Sequence, residues 1–246
     1  MTTQTDRPTV LLLAGYWLGA WAWDEVLRHL SPVHADAVAF TLPGLDPHDP
    51  TSAAATLEDQ VAAILDALEG DGVSAEHPAV LVAHSGANAP VSVVLDRAPD
   101  LVRRVVWVDS GPAAPSSSGM EVSAMDAPGL DLPPFDVLGQ QSSLEGLDDD
   151  ALERFRALAM PEPAGVVHAE VRLTNAARHA VPTTLVCCSI PGSVMAELAA
   201  GGHPMFAEVA LLERADVIDL PTGHWPMWSR PADLAEIIAA EAVRTV

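Results

Sequence analysis

Lysine is absent from the sequence, because all 12 basic residues are arginines. Without lysine the chain cannot form a Schiff base to pyridoxal phosphate, and it cannot supply the phosphate-binding lysine of a P-loop. No G-x-G-x-x-G stretch occurs either, so a nucleotide cofactor has no recognisable binding motif. The sequence therefore predicts chemistry carried out by side chains alone, with no cofactor.

Cysteine is scarce, with two residues in the whole chain, Cys187 and Cys188. Adjacent residues of a strand point to opposite faces, so this pair cannot provide a disulfide framework. A metal site would need further ligands near the two cysteines, and the sequence offers none there. We expect two buried thiols in a reducing cytosol and no metal.

Positive charge is also scarce. The 34 acidic residues outweigh the basic ones and give a formal net charge of −22, so the surface is expected to repel nucleic acid and anionic membranes. No apolar run approaches the roughly 20 residues that span a bilayer. The amino-terminal segment "MTTQTDRPTV" lacks the basic and then apolar layout of a signal peptide. We expect a cytoplasmic protein whose partner is a small-molecule substrate, and no pattern in the sequence fixes its oligomeric state.

Apolar segments typical of buried strands alternate with helical patterns along the chain. The strand candidates are "PTVLLLAG", "ADAVAFTLPG", "PAVLVAHS", "RRVVWVDS", "PTTLVCCS" and "DVIDLP". The helical patterns are "AWAWDEVLRHL", "TLEDQVAAILDALEG", "APVSVVLDRAP", a stretch around 193–213 and "PADLAEIIAAEAVRTV". Parallel strands joined by crossover helices predict an α/β fold with a doubly wound, mainly parallel six-stranded sheet.

The alternation breaks between residues 111 and 165, a proline-rich segment with one clear helical pattern, "DDDALERFRALAM". Such long insertions inside compact domains are usually functional lids or disordered segments. Because the segment lies between two sheet strands, we predict a small cap over the carboxyl edge of the sheet. A surface insertion with no role at the site is the alternative. The chain as a whole, residues 1–246, is predicted to be one domain.

A serine, an aspartate and a histidine follow strand ends in the chain order Ser85, Asp109, His224. Ligands of open α/β sheets bind at this carboxyl edge, and this order is typical of hydrolases with a nucleophile elbow. The elbow strains the serine backbone, so only small residues fit two positions away on either side, and Ala83 and Ala87 satisfy that need. An ordinary turn capped by a serine is the alternative, but the order of the three residues favours the elbow.

The chain resembles α/β-hydrolase-fold proteins of the short type, similar to plant methylesterases and hydroxynitrile lyases. The stretch "LAGYWLGAWAWDEVL" is similar to the first-strand motif of that family, "TLPG" to its Asp-Leu-Pro-Gly turn, and "LPTGHWPMWSRPADLA" to its catalytic-histidine segment. The resemblance covers nearly the whole chain except the cap. It implies an oxyanion hole formed by the backbone N–H groups of Tyr16 and Gly86.

The sequence departs from the family pattern at three points. Ala14 replaces the usual histidine of a His-Gly pair, and Thr41 replaces the aspartate before Leu-Pro-Gly; both changes are expected to be structural. The stretch "CCSIPGSVMAELAAGG" contains no aspartate where relatives commonly carry the triad acid. We therefore assign the acid to Asp109, as in some relatives, with Asp219 and Glu197 as the alternatives.

These residues predict a serine hydrolase of esterase type. His224 would deprotonate Ser85, and Asp109 would orient His224, so that an acyl-enzyme forms on a small to medium neutral ester, thioester or lactone. His84 is predicted to point away from the nucleophile and to pack. The candidates for an apolar substrate pocket, each of which could equally belong to the core, are Trp17, Leu18, Met125, Trp225 and Trp228. A cofactor-free lyase or dioxygenase on the same scaffold, and a binding protein without turnover, remain alternatives.

Overall fold

A computed structural model describes residues 7–34, 36–117 and 129–245 of the chain. Its strands are β1 (Val10–Leu13), β2 (Ala37–Phe40), β3 (Ala79–His84), β4 (Val102–Val108), β5 (Gly129–Leu130), β6 (Glu162–Pro163), β7 (Thr183–Cys187) and β8 (Ala215–Asp219). Six of them form one sheet in the order β2-β1-β3-β4-β7-β8, and every pair in it is parallel. The predicted α/β fold with a doubly wound, mainly parallel six-stranded sheet is confirmed.

The helices lie between the strands as the alternating pattern predicts. They are α1 (Asp24–Leu30), α2 (Leu57–Gly70), α3 (Asn88–Arg97), α4 (Phe135–Gln141), α5 (Asp149–Leu158), α6 (Ala164–Val167), α7 (Gly192–Ala200), α8 (Pro226–Ser229) and α9 (Pro231–Val243). Helix α2 begins at a capping box, in which Thr56 and Asp59 satisfy each other's backbone N–H groups. Gly70 is the last residue of this helix, and Gly72 just beyond it has a positive φ of +74°.

Hydrophobic cores cover both faces of the sheet, which is why its central strands are continuously apolar. Along β1, Leu11 and Leu13 face one core, whereas Val10 and Leu12 face the other. None of the helices within the described ranges is long and apolar enough to cross a bilayer. Ser85 and Asp109 directly follow the ends of β3 and β4 and so lie at the carboxyl edge of the sheet.

The two adjacent cysteines divide between these cores, as the strand alternation predicts. Cys187 and Cys188 are both buried, free thiols. Burial raises the pKa of Cys187 to about 11 and the pKa of Cys188 still further. Both thiols are therefore protonated at neutral pH and are poor nucleophiles.

The segment predicted to form a cap, residues 111–165 and called the cap below, has more structure in its described part than the single helix that the sequence indicated. Besides α5 it contains α4, which begins after Pro134, and β5, which pairs antiparallel with β6. A helix as short as α4 inside a proline-rich stretch gives little periodic signal. The cap contacts loops at the carboxyl edge of the sheet through residues that include Ser143, Met160 and Glu162.

Candidate active site

Ser85 lies at a sharp turn between β3 and α3. Its backbone φ is +49°, a conformation that residues other than glycine rarely adopt. A Cβ atom on Gly15 would lie 2.7 Å from the Ser85 Cβ and 2.9 Å from the His84 carbonyl oxygen. Ala83 and Ala87 on either side are almost fully buried. The small residues thus let the loop after β1 pass directly over the turn, and the strained backbone projects the Ser85 hydroxyl from the sheet edge.

His224 connects the serine to a carboxylate. Its Nε2 atom lies 2.8 Å from Ser85 Oγ, and its Nδ1 atom lies 2.6 Å from Asp109 Oδ2. The side chains of His224 and Asp109 are 15% and 6% exposed, so water competes little with these bonds. The structure therefore brings together the three residues that the sequence singled out, each within hydrogen-bonding reach of the next.

Asp109 is held as an ionised acceptor. Its Oδ1 atom accepts the backbone N–H groups of Cys188 (3.0 Å) and Ser189 (2.8 Å), and its Oδ2 atom also accepts the Ser189 hydroxyl at 2.6 Å. Burial alone would raise the pKa of Asp109, but the bonds from His224 and Ser189 hold that pKa below its usual value of 3.8. Ser189 lies in the stretch that lacks an aspartate and donates to the acid that the preceding sheet strand supplies.

The two other acid candidates have different surroundings. Asp219, at the end of β8, accepts the backbone N–H of Gly192 at 2.7 Å and so holds the start of α7. Glu197 is exposed on α7. Neither is among the hydrogen-bond partners of His224.

His84 packs as predicted but also connects two loops of the site. Its Nδ1 atom accepts the Gly15 backbone N–H at 3.4 Å, and its Nε2 atom lies 2.8 Å from the His224 carbonyl oxygen. Burial and the nearby His224 lower the pKa of His84 to about 3, so the ring is neutral. A neutral ring that accepts at Nδ1 must carry its proton on Nε2 and donate to that carbonyl. Nothing in the sequence around His84 indicates that its ring contacts the distant His224 carbonyl.

The cap holds the loop that carries the histidine. The backbone N–H of His224 donates to the Ser143 carbonyl at 2.8 Å, and the N–H of Gly223 donates to the Glu145 carbonyl at 3.2 Å. A Cβ atom at position 223 would lie 2.5 Å from that Glu145 oxygen, so only glycine fits. This close approach of the two backbone segments fixes the position of the His224 ring relative to Ser85.

The predicted oxyanion donors lie beside the nucleophile. Tyr16 is the second residue of a turn that the Leu18 N–H closes on the Gly15 carbonyl at 3.2 Å. Gly86 follows Ser85, and a Cβ atom on Gly86 would lie 2.4 Å from the Tyr16 ring. Neither Tyr16 N–H nor Gly86 N–H has a hydrogen-bond acceptor within the part of the chain that the structure describes. Both donors are therefore available to a ligand.

A cavity of about 930 Å³ opens at Ser85. Its lining includes polar residues 141–143 of the cap and the apolar Met195, Met205 and Phe206. Among the described lining residues there is no arginine, and Asp109 supplies the only carboxylate. No group of His, Cys, Asp and Glu within the described ranges could hold a metal ion. The described lining thus combines polar residues of the cap with apolar side chains.

The predicted pocket residues lie elsewhere or cannot be placed. Trp17, Leu18, Trp225 and Trp228 are absent from the described lining of the cavity and pack with the core around Phe155 on one face of the sheet. Trp228 stacks on Trp21 with a centroid distance of 5.6 Å. Met125 lies outside the described residues. Apolar side chains near a motif can belong to the core or to a pocket. These four belong to the core because they lie on the sheet face that packs around Phe155.

Glu162 is a buried carboxyl group that the sequence reading did not single out. It is 1% exposed, and it accepts bonds from the Gln60 side chain (3.2 Å) and the Trp17 backbone N–H (3.3 Å). Burial raises the pKa of Glu162 from 4.5 to about 7, although these two bonds oppose the rise. Among the described residues, no basic side chain lowers the pKa of Glu162.

We expect Glu162 to make folding less favourable as pH rises. Because its pKa is about 7 in the folded chain and close to 4.5 when unfolded, the folded state holds the proton more tightly. As the pH rises from 4.5 to about 7, this group therefore lowers the free energy of unfolding by about 3 kcal/mol. Glu162→Gln removes this pH dependence. In denaturant titrations, the free energy of unfolding of the variant should therefore rise relative to that of wild type from about pH 5 to about pH 8. Parallel stability curves for the two proteins would contradict the assignment.

Comparison with protein families gives a match over most of the chain. The model described as the alpha/beta hydrolase family matches residues 10–237. No curated protein sequence matches the chain.

Solved structures with a similar fold cover almost the whole chain at low sequence identity. An extracellular alpha/beta-hydrolase from a Paenibacillus species, described as sharing structural and functional homology with tobacco salicylic acid binding protein 2, has a TM-score of 0.74 and 19% identity over 97% of this chain and 100% of its own. Tomato methylketone synthase I, in complex with 2-tridecanone, has a TM-score of 0.71 and 15% identity over 96% and 98%. The methylesterase MES16 from Arabidopsis has a TM-score of 0.67 and 16% identity over 94% and 98%. At these low sequence identities, the similarities show that the chain shares its fold with these proteins.

Proposed function

The chain belongs to the alpha/beta hydrolase family, and from this premise we propose that it is a serine hydrolase of esterase type. The observation that carries the proposal is the continuous chain of contacts from Ser85 Oγ to His224 (2.8 Å) and from His224 to Asp109 (2.6 Å). A hydroxyl, a base and an orienting carboxylate in this arrangement are the parts that nucleophilic acyl transfer needs.

The proposed reaction has two halves. His224 Nε2 takes the proton of Ser85 as Oγ attacks the ester carbonyl, and the resulting oxyanion accepts the N–H groups of Tyr16 and Gly86. The bond to the alcohol then breaks, His224 returns the proton to the leaving oxygen, and an acyl-enzyme remains. Water, activated by the same histidine, attacks the acyl-enzyme and releases the acid. Asp109 stabilises the imidazolium in both halves.

The described lining of the cavity and the charge of the chain support a proposal for the substrate class. We propose a small to medium neutral ester, thioester or lactone, since the described part of the lining offers no arginine for a carboxylate-bearing substrate and the formal net charge of −22 does not attract anions. The apolar residues Met195, Met205 and Phe206 would bind one arm of the ester. Among the proteins of similar fold, one is named as a methylesterase. A cytoplasmic location is part of the proposal, supported by the two free thiols.

A fluorophosphonate probe and a graded series of esters test this function. We expect the probe to label Ser85, as read by mass spectrometry of the labelled peptide, and p-nitrophenyl esters or lactones to be turned over. Labelling without turnover of any ester would favour a lyase or dioxygenase, in which the His–Asp pair deprotonates a substrate hydroxyl. A folded protein that does not label at all would instead be a binding protein, and the proposal would fail.

A further inference from the structure

Trp17 is the most tightly held residue of the loop after β1. Its backbone N–H donates to Glu162 Oε2 at 3.3 Å, its indole N–H donates to the Leu130 carbonyl at 2.8 Å, and its carbonyl accepts the Met160 N–H at 3.0 Å. All three partners belong to the cap. The cap therefore takes up every polar group of this one residue.

Trp17 needs such support because its backbone is unfavourable. Its φ is +68°, and it is the third residue of the turn from Gly15 to Leu18. A positive φ at the third position is typical of a type II turn, where glycine or asparagine is usual. Tryptophan adopts this conformation only when its surroundings impose it. The residue before it, Tyr16, carries one of the two proposed oxyanion donors.

Glu162 is placed to impose the conformation. Its second oxygen accepts Gln60 Nε2 at 3.2 Å, and the same Nε2 donates to the Pro43 carbonyl at 3.1 Å. Pro163, the next residue, packs where a Cβ atom on Gly44 would be. The carboxyl group is thus fixed between α2, the turn after β2 and the loop after β1, and it cannot move without disturbing all three.

We propose that Glu162 is a positioning residue, whose carboxyl group holds the Gly15–Leu18 turn so that the Tyr16 N–H faces the oxyanion. This inference rests on the proposed serine-hydrolase function. Glu162 acts through the turn and does not touch the substrate, since it is absent from the described lining of the cavity.

The surroundings of Glu162 contain little that would retain a carboxyl group for stability alone. No arginine is among the described groups bonded to it, and a charge on Glu162 disfavours ionisation of the Tyr16 phenol. Burial and Glu162 both raise the pKa of the Tyr16 phenol, so that phenol is neutral. An apolar side chain of the same length would fill the space but would leave the Trp17 N–H without an acceptor.

Glu162→Met is the decisive variant. Because removing an oxyanion donor outright costs about 10²–10³ in kcat, displacement of the turn should lower kcat by at least about 10-fold and leave KM nearly unchanged. The affinity for phenylboronic acid, whose tetrahedral adduct with Ser85 uses the same donors, should fall by the same factor. Glu162→Gln retains one acceptor oxygen and should restore most of the rate.

Glu241→Gln is the matched control. Glu241 is also buried, but it accepts the Thr184 hydroxyl at 2.7 Å near the amino ends of the strands, at the edge opposite Ser85. Its kcat should stay within about 2-fold of wild type, even where its melting temperature falls. Glu162→Asp withdraws the acceptor by one methylene and replaces the Met variant if that protein does not fold.

The outcomes separate the two proposals. Wild-type kcat in folded Glu162→Met, or in Glu162→Asp where the Met variant does not fold, would overturn the positioning role. A fall in kcat with unchanged phenylboronic acid affinity would overturn it as well. Failure of the wild-type protein to label with fluorophosphonate would instead overturn the serine-hydrolase function itself, before any variant is compared.

Discussion

Asp109→Asn is expected to lower kcat by about 10⁴, as loss of the corresponding aspartate does in serine proteases. The geometry makes the direction of the amide predictable. Two backbone N–H groups, from Cys188 and Ser189, bind Oδ1, so the asparagine oxygen takes that place and its NH₂ group faces His224. The Nδ1 atom of His224 must then accept, its proton moves to Nε2, and the ring can no longer take the proton of Ser85.

Asp219→Asn and Glu197→Gln are the controls for this prediction. Asp219 holds the Gly192 N–H and Glu197 is exposed, so both variants should keep kcat close to wild type. Steady-state rates of the three variants on one ester decide the assignment. A near-normal rate for Asp109→Asn together with a collapse for Asp219→Asn would show that the acid comes from β8. Equal, small effects in all three would leave Ser85 and His224 acting as a dyad.

The fold and the three central residues were predictable because the signals for them are local. A strand buried on both faces is a continuous apolar run, and a polar residue directly after such a run marks the carboxyl edge of a parallel sheet. Ser85 and Asp109 are both of this kind. His224 follows β8 in a stretch similar to the histidine segment of the family. None of these inferences requires knowing which distant residues touch.

The lining of the cavity and the support of the turn were not predictable, because they depend on contacts between distant segments. Trp17 and Trp225 look like pocket residues from their places in the motifs, yet both pack with the core around Phe155. Glu162 lies in the stretch "MPEPAG", which carries no periodic or motif signal, and its importance comes from Gln60 and Trp17, far away along the chain. The spacing of residues along the sequence does not indicate that Glu162 contacts Gln60 and Trp17.

Ser85→Ala is expected to lower kcat by about 10⁶, the largest effect of any variant discussed. Alanine keeps the Cβ atom that packs against Gly15, so the turn and the fold should persist and the melting temperature should change little. Fluorophosphonate labelling should vanish. A residual rate well above that of the reaction without protein should remain, because the oxyanion donors and the cavity are untouched. Single-turnover assays at high protein concentration measure it.

The combination of Ser85→Ala with Asp109→Asn tests whether these residues act as a unit. Members of a triad lose nearly the same transition-state stabilisation whichever of them is removed, so the double variant should be scarcely slower than Ser85→Ala alone. Independent contributions would instead multiply, to about 10¹⁰ below wild type. Near-additive losses would mean that Asp109 supports the site through Ser189 and the β7 loop. Normal turnover by Ser85→Ala would show that Ser85 is not the nucleophile. The His224–Asp109 pair would then carry out the chemistry by abstracting a proton from the substrate.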